Sequence, residues 1–234
     1  MKSHPEFAAD LTGFHGTAPI FPLPNVVLFP YTALPLRIFE DRYREMVAQA
    51  LSEERLIAMA LLKPGWEPDY EDRPEIHEMV CLGRITADER FESGEYNIVV
   101  TGIHRAVVVE ELENDLPYRV GHLELYRDFY AVDPLVNREA RHHELMRNFR
   151  KLFPKSRADS LFSQVLEAGI PLGVACDLLS AAVRFSLADK QMLLEELDVD
   201  VRSDLLLEKI RERLPAEVVS QLPSRIYPPT FSLN

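Results

Sequence analysis

The feature that most constrains this chain is a change of period near residue 130. Before it, short runs follow a period of two, as where Val120, His122, Glu124 and Tyr126 alternate with Gly121, Leu123 and Leu125. From Asp133 onward apolar residues recur every three to four positions and keep doing so to about Leu214. Strand signals followed by helix signals, without βαβ alternation, predict an α+β chain in two successive parts. Charge divides at the same place. Residues 1–128 carry 12 Lys/Arg against 23 Asp/Glu, whereas residues 129–234 carry 14 against 15.

The first part contains one amphipathic helix. Phe39, Tyr43, Met46, Val47, Ala50 and Leu51 form its apolar stripe, and Glu40, Arg42, Arg44, Glu45 and Gln49 its wet face. It is preceded by apolar runs punctuated by Pro24, Pro30 and Pro35, which predict short strand pieces over 26–29 and 33–36 in a sheet that bends at the prolines. Residues 56–62 are uninterruptedly apolar and end at Lys63-Pro64-Gly65, the pattern of a central strand. A polar loop with three prolines follows over 64–75, and then strands over 79–85, 90–92, 96–101, 105–112 and 118–126. Ser93-Gly94 marks a hairpin, and Gly102 a turn or a close backbone approach between two strands.

In the second part, Asp133-Pro134 signals a helix start, with Leu145, Phe149, Leu152 and Phe153 as the stripe. Further helices are expected over 158–168 and from Pro171, the latter with Val174, Leu178, Ala181, Ala182 and Phe185 on one side. Ser186 and Asp198 read as the caps of two more, with Lys190 exposed. The expected domains are a flexible arm (1–18), a β-rich unit (19–128), a helical unit (129–214) and a proline-containing tail (215–234).

Three stretches carry a family resemblance: P-N-V-V-L-F-P-Y-x-x-L-P-L-R-I-F-E-x-R-Y over 24–43, N-I-V-V-T-G-I-H-R-A over 97–106, and F-S-L-A-D-K-Q-M-L-L-E followed by L-D-V-D-V-R over 185–202. Together they resemble the N-terminal, substrate-binding domain of the Lon protease family, from about Pro19 to Leu214. The resemblance implies that the β-rich unit is a PUA-like curled sheet or pseudo-barrel with one helix, followed by an α-helical bundle. It also implies a non-enzymatic module that recognises polypeptide clients, unfolded or specific, through exposed apolar segments, with an ATP-dependent protease as a partner. The ligand is expected to lie extended in a groove between sheet and helices or to add to a sheet edge.

The chemistry of the residues agrees. The chain has no Gly-Lys dipeptide, so no P-loop, and no G-x-S-x-G; it reads as a stand-alone member without ATPase or peptidase, needing no cofactor. His77-Glu78-Met79-Val80-Cys81 imitates a zinc motif but runs into a strand, where residues four apart are about 13 Å distant, so no metal is expected. Cys81 reads as a small buried hydrophobe, and two distant cysteines make no disulfide framework. Without an apolar leader or a run of ~18 apolar residues, the chain reads as cytoplasmic with no membrane contact.

A net charge of −12 disfavours nucleic acid. The alternative is an RNA-binding PUA-like protein using the basic segment 138–157, which the lack of interleaved aromatics argues against; a solvated or docked helix face suits it better. Trp66 and Tyr70, large aromatics in a polar proline-rich loop, are the candidate peptide-binding residues, with folding back over the sheet as the alternative. Phe29, Leu36, Phe39, Tyr43 and Phe185 are assigned to the core.

Overall fold

The computed structural model describes residues 10–70, 72–132, 136–152 and 169–213. Two compact units meet in sequence at Arg127 and Asp128.

The first unit is a small closed barrel. Its strands are β1 (Thr17–Leu23), β2 (Ala33–Ile38), β3 (Leu56–Leu61), β4 (Met79–Arg90), β5 (Tyr96–Glu111) and β6 (Arg119–Tyr126), in the order β2-β5-β4-β3-β1-β6. A further pairing of β6 with β5 closes the ring. The 16-residue β5 makes this possible. Its first half pairs with β2 (Ile98 opposite Leu36), and its second half pairs with β6 (Ala106 opposite Leu125). Strand β2 is thus an appended edge strand, a place where Pro35 costs no ladder bond. Only β1 and β3 are parallel.

Strand β3 is central, as its composition predicts, and every one of its residues is buried. Leu56, Ala58 and Ala60 face the interior with Ile20, Val80, Leu82, Ala106 and Leu123; the alanines suit the narrow bore. Helix α1 (Asp41–Ser52) buries Tyr43, Met46, Val47 and Ala50, and the Tyr43 ring lies 4.5 Å from that of Phe21. After it, Arg55 takes a positive φ of 63°, a conformation glycine would adopt more cheaply. Its side chain bonds the Ile85 carbonyl at 3.0 Å and pairs with Asp88.

Several local expectations are corrected. Residues 26–29 form no strand; Leu28 and Phe29 are buried in an irregular segment, held where the Phe29 carbonyl accepts the Thr32 hydroxyl at 2.7 Å. Strand β4 runs on to Arg90, and β5 passes through Gly102 without turning. Close approach is what Gly102 provides: a Cβ there would lie 2.2 Å from the Phe29 carbonyl oxygen. Phe39 is not core but 40% exposed, because Glu40 is the N-cap and Phe39 precedes the helix whose stripe it was expected to join. In the segment expected as an arm, β1 already starts at Thr17, and Leu11 and Phe14 pack on the barrel core. Arg84 fastens them by donating to the Asp10 and Thr12 carbonyls at 3.2 and 2.7 Å.

The second unit comprises α2 (Arg138–Leu152), α3 (Leu172–Ala182), α4 (Leu187–Glu195) and α5 (Val199–Glu212). The side chain of Asn137 accepts from the Ala140 N–H at 2.9 Å at the start of α2, while the expected signal at 133–134 and the helix over 158–168 lie outside the described residues. Leu145, Phe149 and Leu152 are buried on α2 as the spacing predicts. Ser186 and Asp198 cap α4 and α5 by accepting from the N–H groups of Asp189 and Asp200. Lys190 is half-buried rather than exposed; its ammonium donates to the Ala181 carbonyl at 3.3 Å, and burial lowers its pKa. Arg202 lies at the centre of this unit, fully buried, paired with Asp128 and bonded to the Glu196 carbonyl at 2.8 Å, with Asp177 3.8 Å away.

Candidate functional site

The loop from β3 to β4 leaves the barrel at Leu62 and returns at Ile76, which form a bridge. Within it Trp66 and Tyr70 come together around a short 3-10 turn, their rings 5.4 Å apart at 64°. Both are half-buried and pack against the barrel core, so the fold-back alternative describes part of their role. Their surroundings then differ. Tyr70 lines a cleft of about 560 Å³, and Trp66 does not.

That cleft lies within the barrel unit. Its walls are the first turn of α1 (Arg42, Tyr43), the loop (Tyr70, Asp72, Arg73, Pro74) and the turn entering β6 (Leu116, Pro117, Tyr118, Arg119), with Pro22 and Leu62 completing it. Its surface is about as polar as apolar, and the prolines and tyrosines in its wall make it stiff, so little entropy is lost when a ligand packs on it. Tyr43 and Tyr70 also line an adjoining depression of about 20 Å³ together with Phe39. Exposed Phe39, which periodicity had assigned to the core, therefore belongs to this surface; the sign in the sequence was Phe-Glu-Asp, where an acidic cap follows it.

Two arginines hold the loop wall in place. Arg42 donates to Glu40 at 2.9 and 3.1 Å and to the Tyr70 carbonyl at 3.3 Å, with its guanidinium 4.7 and 4.9 Å from the Tyr43 and Tyr70 ring centroids. Burial opposes its charge, but Tyr43 and Glu40 more than offset that and keep its pKa above the ordinary arginine value. Arg119, almost wholly buried, pairs with Glu111 and donates to the Pro74 carbonyl at 2.7 Å. The Tyr70 hydroxyl donates to Glu40 at 2.8 Å, and burial together with that bond pushes its pKa up to about 12. Burial raises the Tyr43 pKa as well.

The other sequence candidates sit elsewhere. Cys81 is buried within β4, opposite Arg105, in extended backbone where an i, i+4 pair does not converge. On the basic segment, Arg138 pairs with Asp200 and Arg141 with Asp204, so these arginines face α5; Lys155 and Arg157 lie outside the described residues. Nothing here supports the RNA-binding alternative. Among the described residues no helix is long and apolar enough to cross a membrane.

A five-stranded ring with an appended strand and one helix, followed by a helical unit, defines an α+β module. The chain belongs to the family described as the ATP-dependent protease La (LON) substrate-binding domain, which matches residues 17–212. It is similar to the Lon protease of Heliobacterium modesticaldum, 25% identical over 193 residues that cover 81% of this chain and 23% of that protein. The chain thus spans about a quarter of the length of the curated relatives it matches. Among solved structures, the N-terminal domain of Mycobacterium avium complex Lon protease superposes with a TM-score of 0.67 at 16% identity, covering 85% of this chain and 100% of that one. A Lon N-terminal domain protein from Xanthomonas campestris gives 0.59 at 21%, covering 82% and 97%. At these identities the likeness to both structures is one of fold.

Proposed function

We propose that this chain is a non-enzymatic recognition module that binds exposed apolar segments of polypeptide clients, working with an ATP-dependent protease. The observation that carries the reading is the 560 Å³ cleft, lined in part by tyrosine and proline, which shares Tyr43 and Tyr70 with the adjoining depression that exposed Phe39 lines. A client segment lies extended along it, its apolar side chains on Tyr70 and Phe39, with Trp66 as the support that fixes the Tyr70 ring.

Fluorescence anisotropy with labelled, permanently unfolded casein tests this. Tyr70→Ala and Phe39→Ala are each expected to weaken binding by about fivefold or more, the size of a modest aromatic anchor. Trp66→Ala should act in the same direction by loosening Tyr70. Full-strength binding by Tyr70→Ala and Phe39→Ala together, with circular dichroism unchanged, would remove the cleft from client recognition.

A further inference from the structure

The lining of the cleft is richer in arginine than the unit around it. Its ionisable lining is three arginines, Arg42, Arg73 and Arg119, against one carboxylate, Asp72, while residues 1–128 carry 12 Lys/Arg against 23 Asp/Glu. Glu40 and Glu111, which pair with Arg42 and Arg119, do not line the cleft itself, although Glu40 lines the adjoining depression. A guanidinium has five N–H donors. The bonds of Arg42 use three, to Glu40 and the Tyr70 carbonyl, and those of Arg119 use three, to Glu111 and the Pro74 carbonyl. Two donors remain on each, on side chains already fixed in position. Arg73 is exposed and makes no ion pair among the described residues.

Resting on the reading of the cleft as a polypeptide site, we propose that it selects client segments in which a carboxylate stands beside an aromatic or aliphatic side chain. The apolar group packs on half-buried Tyr70 and exposed Pro117, and the carboxylate takes Arg73 and the remaining donors of Arg42. The scale of the field favours a short acidic segment over a polyanion. Screening confines attraction to about 8 Å at physiological salt, so one carboxylate lies within reach of the arginines, whereas a nucleic acid would extend over the acidic remainder of the unit.

The experiment uses labelled decapeptides that differ at one group: Phe-Asp against Phe-Asn inside the peptide, and a C-terminal acid against its amide. Wild type and Arg73→Gln are compared at low and high salt; among the described residues exposed Arg73 makes no side-chain hydrogen bond or ion pair, so its replacement is expected to leave the circular dichroism of the fold unchanged. The acidic member of a pair is expected to bind about two- to fivefold tighter at low salt, the size of one solvent-accessible charge contact. The preference should shrink with added salt and in Arg73→Gln. The internal pair and the terminal pair tell whether the carboxylate belongs to a side chain or to the chain end.

Equal binding of acidic and neutral peptides overturns this selectivity and leaves the polypeptide reading standing. An undiminished preference in Arg73→Gln places the carboxylate elsewhere and overturns the assignment. Displacement of the acidic peptide by a mixed RNA oligomer at equal concentration overturns it in favour of a general anion site. Absence of binding by every peptide overturns the reading of the cleft itself.

Discussion

Tyr70 ties the loop, the helix and the cleft together through one hydroxyl, donated to Glu40 at 2.8 Å. Removing that hydroxyl in Tyr70→Phe leaves Glu40 bonded to Arg42 and is expected to cost about 0.5–1.5 kcal/mol, read as a lower urea midpoint. The same group gives a pH dependence. Its pKa is about 12 in the folded protein, against about 10 in an unfolded chain, so the folded state holds the proton more tightly. This contribution is complete below pH ~10 and is lost as the pH rises through ~12, where Tyr70→Phe should lose less stability than wild type. At Gly102 the constraint is steric. A Cβ would meet a backbone oxygen at 2.2 Å, which no rotamer change relieves, so Gly102→Ala should destabilise by about 2 kcal/mol or more in the same titration. The need for glycine there is legible in the sequence, but its partner, the Phe29 carbonyl, is not, since it comes from a distant irregular segment. Of the residues that line the cleft, Tyr70 stands out in the sequence, while Trp66 packs beside it without lining the cleft. Phe39 was hidden by a helical count that Glu40 interrupts, and Arg42 and Arg119 look like ordinary surface arginines until their carbonyl partners are known.

At the scale of elements, those whose signals are local were readable: α1 from its stripe, β3 from its apolar run, and the starts of α4 and α5 from Ser186 and Asp198. What failed depends on tertiary contact. Val26 to Phe29 has strand-like residues but no neighbouring ladder, and β4 and β5 were read as fragments because polar residues 86–90 and Gly102 look like ends. The loop that forms the cleft wall depends on such distant contacts too. Arg119→Met keeps an unbranched apolar stem but is shorter and uncharged, so it releases the Pro74 carbonyl and removes the ion pair with Glu111. The expected result is faster amide exchange over residues 63–75, where the Lys63 N–H bonds the Glu75 carbonyl at 2.8 Å, with β3 amides still protected. Client binding should weaken in parallel, because Tyr70 and Pro74 lose their fixed positions.

At the scale of the molecule, an α+β chain in two parts follows from the change of period, whereas closure of the barrel does not, because it needs one strand to pair on different halves with β2 and β6. Arg202 offers a way to probe the two units separately. Its guanidinium has no exposure, and burial opposes its charge, yet Asp177 and Asp128 more than offset this and raise its pKa. Arg202→Met replaces it with a shorter, uncharged side chain that packs but cannot pair, removing the positive charge beside fully buried Asp177 and partly buried Asp128. Breaking a buried pair from one side costs about 3–5 kcal/mol. We propose that the units on either side of Arg127 unfold as separate cooperative bodies, in which case this loss stays in the helical one. Hydrogen exchange would then show α3 and α5 amides losing protection while those of β3 and β4 keep theirs, and the variant would still bind casein through the barrel cleft. Equal loss of protection in both units would mean that they fold as one body, and client binding would fall with the helices.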